Sequence, residues 1–504
     1  MLFRSFPDSF QGTFTLVDFR GSSAGSGLWA FKLKPKGASF DMVEDRQFVW
    51  KILATDAKWG PDGALYILDW VEGWEQNGKG RIYKLTHPEA SRSPAALEAS
   101  RLLAEGFSHR NAPELLRLLG HPNQRVRLEA QSALAFRGVP VIGDLQQLAA
   151  TGPSLHARLH ALWALWQMAL RRTEGGNPAV ALDGILPLLR DRNPEIRANA
   201  ARVLGDARHL RGFELLAQAT ADENARVRHL AATALGRLGR TEAVPALLAL
   251  LNDNADHDPV IRHAASHALA QIGDLPSLVA AARHASESVR LGAVLALRRM
   301  ERAEIEVFLG DSSGRVVSEA VHAIHDLPIS GAMHSLAALI DRPIQAPAVL
   351  RRVLNANYRW GTPESANTLA RFAANTNAPE AGRVEALRML AEWPRNGGRD
   401  RVTGLWRPTA FARERQTPVH ALQEGLPSLL SGGSDAVRAA AAFAAGELML
   451  QEASETLARL VAERQSSPPA RSAALLALSR LNSPSLPAAL RAAEQDPEIG
   501  RAHV

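Results

Sequence analysis

A mainly α-helical repeat array preceded by a small β region is the fold class this sequence predicts, and three observations predict it. One helical frame, a branched apolar residue followed by arginine and then alanines and leucines at helical spacing, recurs along most of the 504 residues. The composition breaks near residue 88: all seven lysines lie at or before Lys84, with half of the ten tryptophans (29, 50, 59, 70 and 74). Within that opening stretch, short β-branched and aromatic runs alternate with glycine-rich turns.

The opening stretch reads as six short strands. Thr13–Val17 and Leu28–Leu33 flank a glycine loop, and Phe48–Ile52, Asp56–Trp59, Ala64–Asp69 and Arg81–Leu85 follow. Gly60-Pro61-Asp62-Gly63 sets a fixed φ and then a positive one, as a tight turn requires. Six short strands amount to about one and a half blades of a β-propeller, which needs at least four. Gly73 to Lys79 spaces its residues like a phosphate loop, but Gly80 stands where Ser or Thr is needed and a strand follows instead of a helix. That spacing is read as a coincidence.

After His87-Pro88 and a linker over 89–94, the repeat begins. Val227-Arg228 leads Leu230, Ala231, Ala234 and Leu235, and Ile261-Arg262 leads Ala264, Ala265, Ala268 and Leu269. The frame returns at Val126-Arg127, Ile196-Arg197, Val289-Arg290 and Val437-Arg438, with weaker copies around Arg158, Val317, Arg352, Arg383 and Arg471. Adjacent copies lie roughly 26 to 39 residues apart, the spacing of an α-solenoid. Small inner residues let neighbouring helices approach, so each repeat buries its face on the next. Asn193-Pro194 and Asp258-Pro259 are cap-plus-proline starts for second helices. The array runs over 95–393 and again over 419–498. Between them, 394–418 is an irregular insertion rich in arginine, glycine and proline, and Arg351–Tyr358 is a helix with a polar second half.

Composition excludes several functions within these residues. No cysteine means no disulfide scaffold, thiolate zinc site, cysteine nucleophile or Cys-x-x-Cys-His haem attachment. No apolar run is long enough to span a membrane, and residues 1–8 lack the pattern of a signal peptide. The formal charge is +6, but acids are interleaved with the arginines throughout, which argues against nucleic acid as a partner. Arginine without lysine beyond residue 84 is most simply the mark of a GC-rich genome.

The arginine frame resembles the HEAT repeat, whose arginine commonly pairs with an aspartate at the inter-helix turn. The resemblance marks Arg127, Arg197, Arg228, Arg262, Arg290 and Arg438 as structural ladder residues, with Asp191, Asp222 and Asp311 as partners. Thr55 to Trp70, closed by Gly78 to Tyr83, resembles the last blade of the sorbosone/glucose-dehydrogenase-like propeller. More narrowly it is similar to the membrane-bound dehydrogenases of planctomycetes and verrucomicrobia, which join a propeller, a HEAT region and a haem-binding cytochrome c domain. The insertion and the helix at 351–358 share that resemblance.

The resemblance implies a fragment of a periplasmic or secreted dehydrogenase, lacking catalytic activity, that holds its own missing domains or a protein partner along the solenoid. It implies haem c in the full-length protein, and the related sugar dehydrogenases use pyrroloquinoline quinone with calcium. Asp56, Asp69, Trp70 and Arg81, at strand ends where such folds place their sites, are the catalytic candidates, although no cofactor ligand is matched to them. The i, i+4 pairs His156/His160 and His263/His267 could grip a metal but lack a third ligand, and are read as structural. Ile499–Val504 reads as translated sequencing adapter, so both ends are expected to be cut. Two alternatives remain: a stand-alone HEAT interaction scaffold, and a HEAT-like enzyme such as a phycobilin lyase or DNA glycosylase.

Overall fold

The structure, a computed structural model, describes residues 10, 12–60, 62–71, 78–171, 178–395, 397–408 and 413–495. The phosphate-loop-like spacing at Gly73 and the adapter-like end at Ile499–Val504 lie outside those residues. The chain divides into two compact units, 1–277 and 278–504.

The first unit opens with six strands in two antiparallel sheets. β1 (Thr13–Asp18), β2 (Gly27–Lys36) and β3 (Ser39–Trp50) form one, and β4 (Ala54–Trp59), β5 (Leu65–Asp69) and β6 (Arg81–Leu85) the other. Leu28 of the first sheet and Ala54, Leu65 and Ile67 of the second are buried together, with Val17, Val49, Trp59 and Leu85 packed on them. Five strands stand close to where the sequence places them. The sixth, β3, starts at Ser39 instead of Phe48, because its first nine residues are almost wholly exposed and carry no alternating apolar signal. Pairing with β2 creates that strand, through a two-residue turn at Gly37-Ala38 in which Gly37 has φ +54°.

Helices follow from Pro94 onward. Four second helices of the first unit start at a capping side chain four residues before the ladder arginine. Asn123, Asn193, Asn224 and Asp258 accept from the backbone N–H of Arg125, Glu195, Arg226 and Val260 at 2.9–3.0 Å. The helices so started, Gln124–Arg137, Pro194–Asp206, Ala225–Leu238 and Pro259–Ile272, bury most of their alanines and leucines.

The second unit repeats the pattern. Glu287–Arg299, Gly314–Asp326, Asp435–Leu448 and Pro468–Arg480 are its framed helices, and 392–415 carries no helix among its described residues. No described helix is long and apolar enough to cross a membrane.

Alanine alone does not account for how closely these helices pack. Eight residues after three of the ladder arginines stands a glycine: Gly205, Gly236 and Gly446. A β-carbon on Gly205 would lie 2.5 Å from that of Ala234, and one on Gly236 would lie 2.7 Å from the α-carbon of Ala268. In both cases the neighbour sits six residues after the next repeat's arginine. Backbone meets backbone there, and even a methyl group has no room.

Gly205→Ala is therefore expected to destabilise the chain by ~1–3 kcal/mol, the range for overpacking, despite alanine's better helix propensity. Gly143→Ala, in a helix where a β-carbon meets nothing within 4 Å, should be neutral or stabilising by up to ~1 kcal/mol. Denaturant midpoints of the two variants, measured side by side, check the pair of signs.

Candidate functional site

The four strand-end candidates come first. Asp69 ends β5 and pairs in register with Arg81, the first residue of β6; Trp70 follows directly, and Asp56 pairs with Leu68. The sheet thus brings Asp69, Trp70 and Arg81 to one end. Asp69 is buried there, and one carboxylate oxygen accepts from the N–H groups of Leu53 (3.0 Å) and Val71 (2.9 Å). Asp56 accepts from the N–H of Ala57 at 2.8 Å and lies 3.6 Å from the Lys58 ammonium. Arg81 donates to the Tyr83 hydroxyl at 3.4 Å, and Trp70 is exposed. These contacts tie off strand ends.

The ladder arginines do the same for repeats. Arg197 grips Asp222 with two parallel bonds of 2.8 Å and donates its third nitrogen to the Asp191 carbonyl at 2.9 Å. Arg290 holds Asp311 the same way, at 2.8 and 3.1 Å, and donates to the carbonyls of His284 and Ala285. Asp191 pairs with Arg158. Each of the three aspartates also accepts, at 2.8 Å, the backbone N–H two residues on.

Not every ladder arginine finds a carboxylate in the next repeat. Arg228 donates to the carbonyls of Asp222 and Glu223. Arg262 pairs with Asp256 just before its own helix, whereas Arg438 does reach the following turn, pairing with Glu463 as well as with Asp435. Arg127 donates to His160 at 3.0 Å, because the turn at Gly152-Pro153-Ser154 offers no acid.

His160 accepts that bond at Nε2, so its proton sits on Nδ1, 2.7 Å from the Gln131 side-chain oxygen. Both nitrogens are occupied, which removes the pair His156/His160 as a metal grip. The rings of His263 and His267 stack at 6.0 Å. No group of three potential metal ligands occurs among the described residues.

The second unit contains a polar cluster that no spacing in the sequence announces. The irregular segment folds so that Asp400, buried, accepts at one oxygen from the N–H of Val402 (2.9 Å) and from the N–H (2.8 Å) and hydroxyl (3.1 Å) of Thr403. Its other oxygen accepts from the amide of Asn355 at 2.9 Å. Asn355, fully buried on the helix Pro347–Trp360, also reaches His325 Nε2 at 2.8 Å, and His325 Nδ1 donates to Asp326 at 2.8 Å. Arg352 closes the chain on Asp326 with bonds of 3.0 and 2.8 Å.

Burial alone would raise the Asp400 carboxyl. The N–H groups of Thr403 and Val402, with the Asn355 amide, outweigh it and hold the carboxyl below its ordinary range. Burial pushes His325 down, so it is neutral. Arg401 is held between Glu385 (2.8 Å) and Glu392, and Arg407 donates to the carbonyls of His325 and Asp326. Beside this cluster opens a cavity of about 720 Å³ whose wall includes Arg399, Asp400 and Arg401.

Comparison with known proteins identifies the repeat type in two stretches of the chain. The HEAT-repeat family matches residues 182–270 and 424–504, one stretch in each unit. Among solved structures, importin beta is 14% identical, covering 78% of this chain and 60% of its own, with a TM-score of 0.39. The karyopherin Kap121p, bound to the C-terminus of the phosphatase Cdc14p, is 12% identical (76% of this chain, 47% of its own, TM-score 0.44). The CpcE–CpcF phycocyanin lyase of Nostoc sp. PCC7120 is 24% identical (42% and 87%, TM-score 0.22). No curated protein sequence matches the chain. The chain is mainly α-helical and carries HEAT repeats over residues 182–270 and 424–504.

Two outcomes follow from these contacts. Removing the Asp400 carboxylate leaves the N–H groups of Val402 and Thr403 without their acceptor, so Asp400→Ala should loosen the segment 397–408 at a cost of ~2–5 kcal/mol. Trypsin cleavage after Arg399 or Arg401 then becomes faster than in the wild type, which mass spectrometry of the fragments reads. Burial and the Arg127 charge push His160 down to about 3 from an unfolded value of 6.5. A depressed histidine stabilises the fold fully above pH 6.5 and progressively less as pH falls toward 3. Between pH 7 and 5 this residue alone accounts for a loss of ~2 kcal/mol. His160→Gln should flatten the fall of denaturant stability over that interval by about the same amount.

Proposed function

We propose that this chain is a scaffold whose helical repeats hold a β module in a fixed position. One observation carries the reading. The tip of the β2–β3 hairpin lies on the repeat array, where the Ala38 N–H donates to Asp258 at 2.7 Å across 220 residues of chain. Asp258 uses its other oxygen to cap the helix Pro259–Ile272. A β-carbon on Gly37 would stand 2.3 Å from the Asp258 oxygen, so the contact needs glycine there as well as the turn does. Phe40 lies under the Arg226 guanidinium at 5.4 Å, and Arg125 donates to the Trp59 carbonyl at 3.1 Å.

More narrowly, we read the chain as the HEAT-repeat region of a propeller–HEAT–haem dehydrogenase of the periplasm or cell exterior. The likeness of Thr55–Trp70, Gly78–Tyr83, the insertion and the helix at 351–358 to that family supports this. The residues present do not fit the family's cofactors. There is no cysteine for thioether attachment of haem; Asp56 faces the Ala57 N–H and Lys58, one Asp69 oxygen accepts from the N–H groups of Leu53 and Val71, and no group of three potential metal ligands occurs among the described residues. The reading therefore assigns no catalytic step to this chain.

Asp258→Ala is expected to speed hydrogen exchange of the Ala38 amide and its hairpin neighbours at least tenfold, besides costing ~1 kcal/mol as a lost cap. Asn193→Ala removes a cap without touching the hairpin, so it should show the stability loss alone. Equal hairpin exchange in both variants would remove the docking reading. The purified chain, given glucose, pyrroloquinoline quinone, calcium and a redox dye, should leave the dye oxidised. Dye reduction above a no-protein blank would overturn the inert scaffold.

A further inference from the structure

The cavity beside Asp400 is not isolated. A second cavity, of about 480 Å³, adjoins it, and Gln345, Leu350 and Pro379 line both. The two are chambers of one trough beside the helix Pro347–Trp360, with the helix Glu380–Ala391 and the insertion completing the first chamber. The floor is apolar: Pro347, Leu354 and Ala381 in the first chamber, Ile344 and Phe372 in the second, Leu350 between.

The walls are cationic. In the first chamber Arg401 is neutralised by Glu385 and Glu392, and Asp400 is turned inward to Thr403, Val402 and Asn355. Arg351 and Arg399 instead donate to carbonyl oxygens, those of Arg401 (3.3 Å) and Gly404 (3.1 Å). In the second chamber Arg342 donates to the Leu309 carbonyl and Arg371 to the Thr368 hydroxyl. Four guanidinium groups thus line an apolar floor with neutral hydrogen-bond acceptors, and Asp341 is the acid facing them in the second chamber. Guanidinium groups in that state gain most from a carboxylate, which pairs with them in two parallel bonds.

We propose that this trough binds an extended peptide segment of a partner protein in which acidic side chains alternate with apolar ones. Two chambers joined through a shared wall suit an extended chain better than a compact molecule, which would occupy one. An apolar side chain fills each chamber while carboxylates pair with Arg351 and Arg399 at one end and Arg342 and Arg371 at the other. Gln345 at the junction offers an amide donor and acceptor to the peptide backbone. The inference is independent of the dehydrogenase reading, since it rests on the second unit alone.

Fluorescence anisotropy of the full chain with fluorescein-labelled Glu-Leu-Glu-Leu-Glu tests it. Saturable binding is expected, weakening as sodium chloride rises, with no binding of the Lys-Leu-Lys-Leu-Lys peptide. The double variant Arg351→Gln/Arg399→Gln should bind at least about tenfold more weakly. Both arginines are exposed, so the variant should melt like the wild type, and the melting curve verifies that. Absence of saturable binding, equal binding of the lysine peptide, or unchanged affinity in the double variant would each overturn the proposal. Displacement of the peptide by octanoate at equal concentration would overturn it in favour of a small-molecule site.

Discussion

The ladder arginine holds its own inter-helix turn, and where an acid stands in the following turn it also fastens one repeat to the next, as Arg197 and Arg290 do. Arg197 shows the full arrangement. Its guanidinium closes the carbonyls of its own inter-helix turn, then reaches Asp222 of the following repeat. Asp222 accepts the N–H of Asn224, and Asn224 caps the next helix. Guanidinium, carboxylate, turn and cap form one hydrogen-bonded chain from repeat to repeat. The alanine and glycine seam cannot supply such register by itself, because small side chains interlock weakly. The seam brings the backbones together, and the clamp decides which residues face each other. Asp311 is nearly as buried as a core leucine, so losing either partner would strand a charge away from water.

Whatever obeys the repeat's own period was legible in the sequence. Caps, ladder arginines and the alanine face are local features, each within about eight residues of the next, and they recur often enough to be read without a structure. Asp191, Asp222 and Asp311 lie 21 to 33 residues beyond an arginine yet are visible too, because each stands at the inter-helix turn of the same frame. The exceptions needed geometry. That Arg127 turns to His160 follows from a turn lacking an acid, but nothing in the sequence says which side chain replaces it. Gly205 and Gly236 look like weak points in helices until the next repeat's backbone is seen against them. The first nine residues of β3 escape the sequence for the opposite reason: they have partners but almost no buried face.

Two segments outside the repeat, the β2–β3 hairpin and the insertion at 394–418, are attached by one device. A carboxylate has two oxygens and about four acceptor sites. Asp258 spends one oxygen on its own helix start and offers the other to Ala38. Asp400 spends one on its own turn and offers the other to Asn355. In each case local bonds orient the carboxylate before the distant contact forms, so little side-chain entropy remains to be lost on docking. Neither attachment follows a motif. A cap aspartate and a loop aspartate look ordinary in sequence, and the second oxygen acquires its role from the segment that arrives.

The polar half of the helix Pro347–Trp360 shows what such an attachment costs and what it fixes. Burying Asn355 and Asp400 next to His325 is unfavourable compared with packing apolar side chains in that volume. The cluster, however, is consistent in one polarity. His325 donates through Nδ1 to Asp326, itself held by Arg352, so Nε2 is left as an acceptor. The Asn355 amide must then present its NH₂ group, whose two hydrogens serve Nε2 and the Asp400 carboxylate. Flipping that amide would set its oxygen against a lone pair and a negative charge at once. Its oxygen as placed has no hydrogen-bond partner, a smaller cost than either repulsion. Because Asp400 is the residue that orders the insertion, the tautomer of His325 and the orientation of Asn355 together determine where the wall of the arginine-lined trough stands.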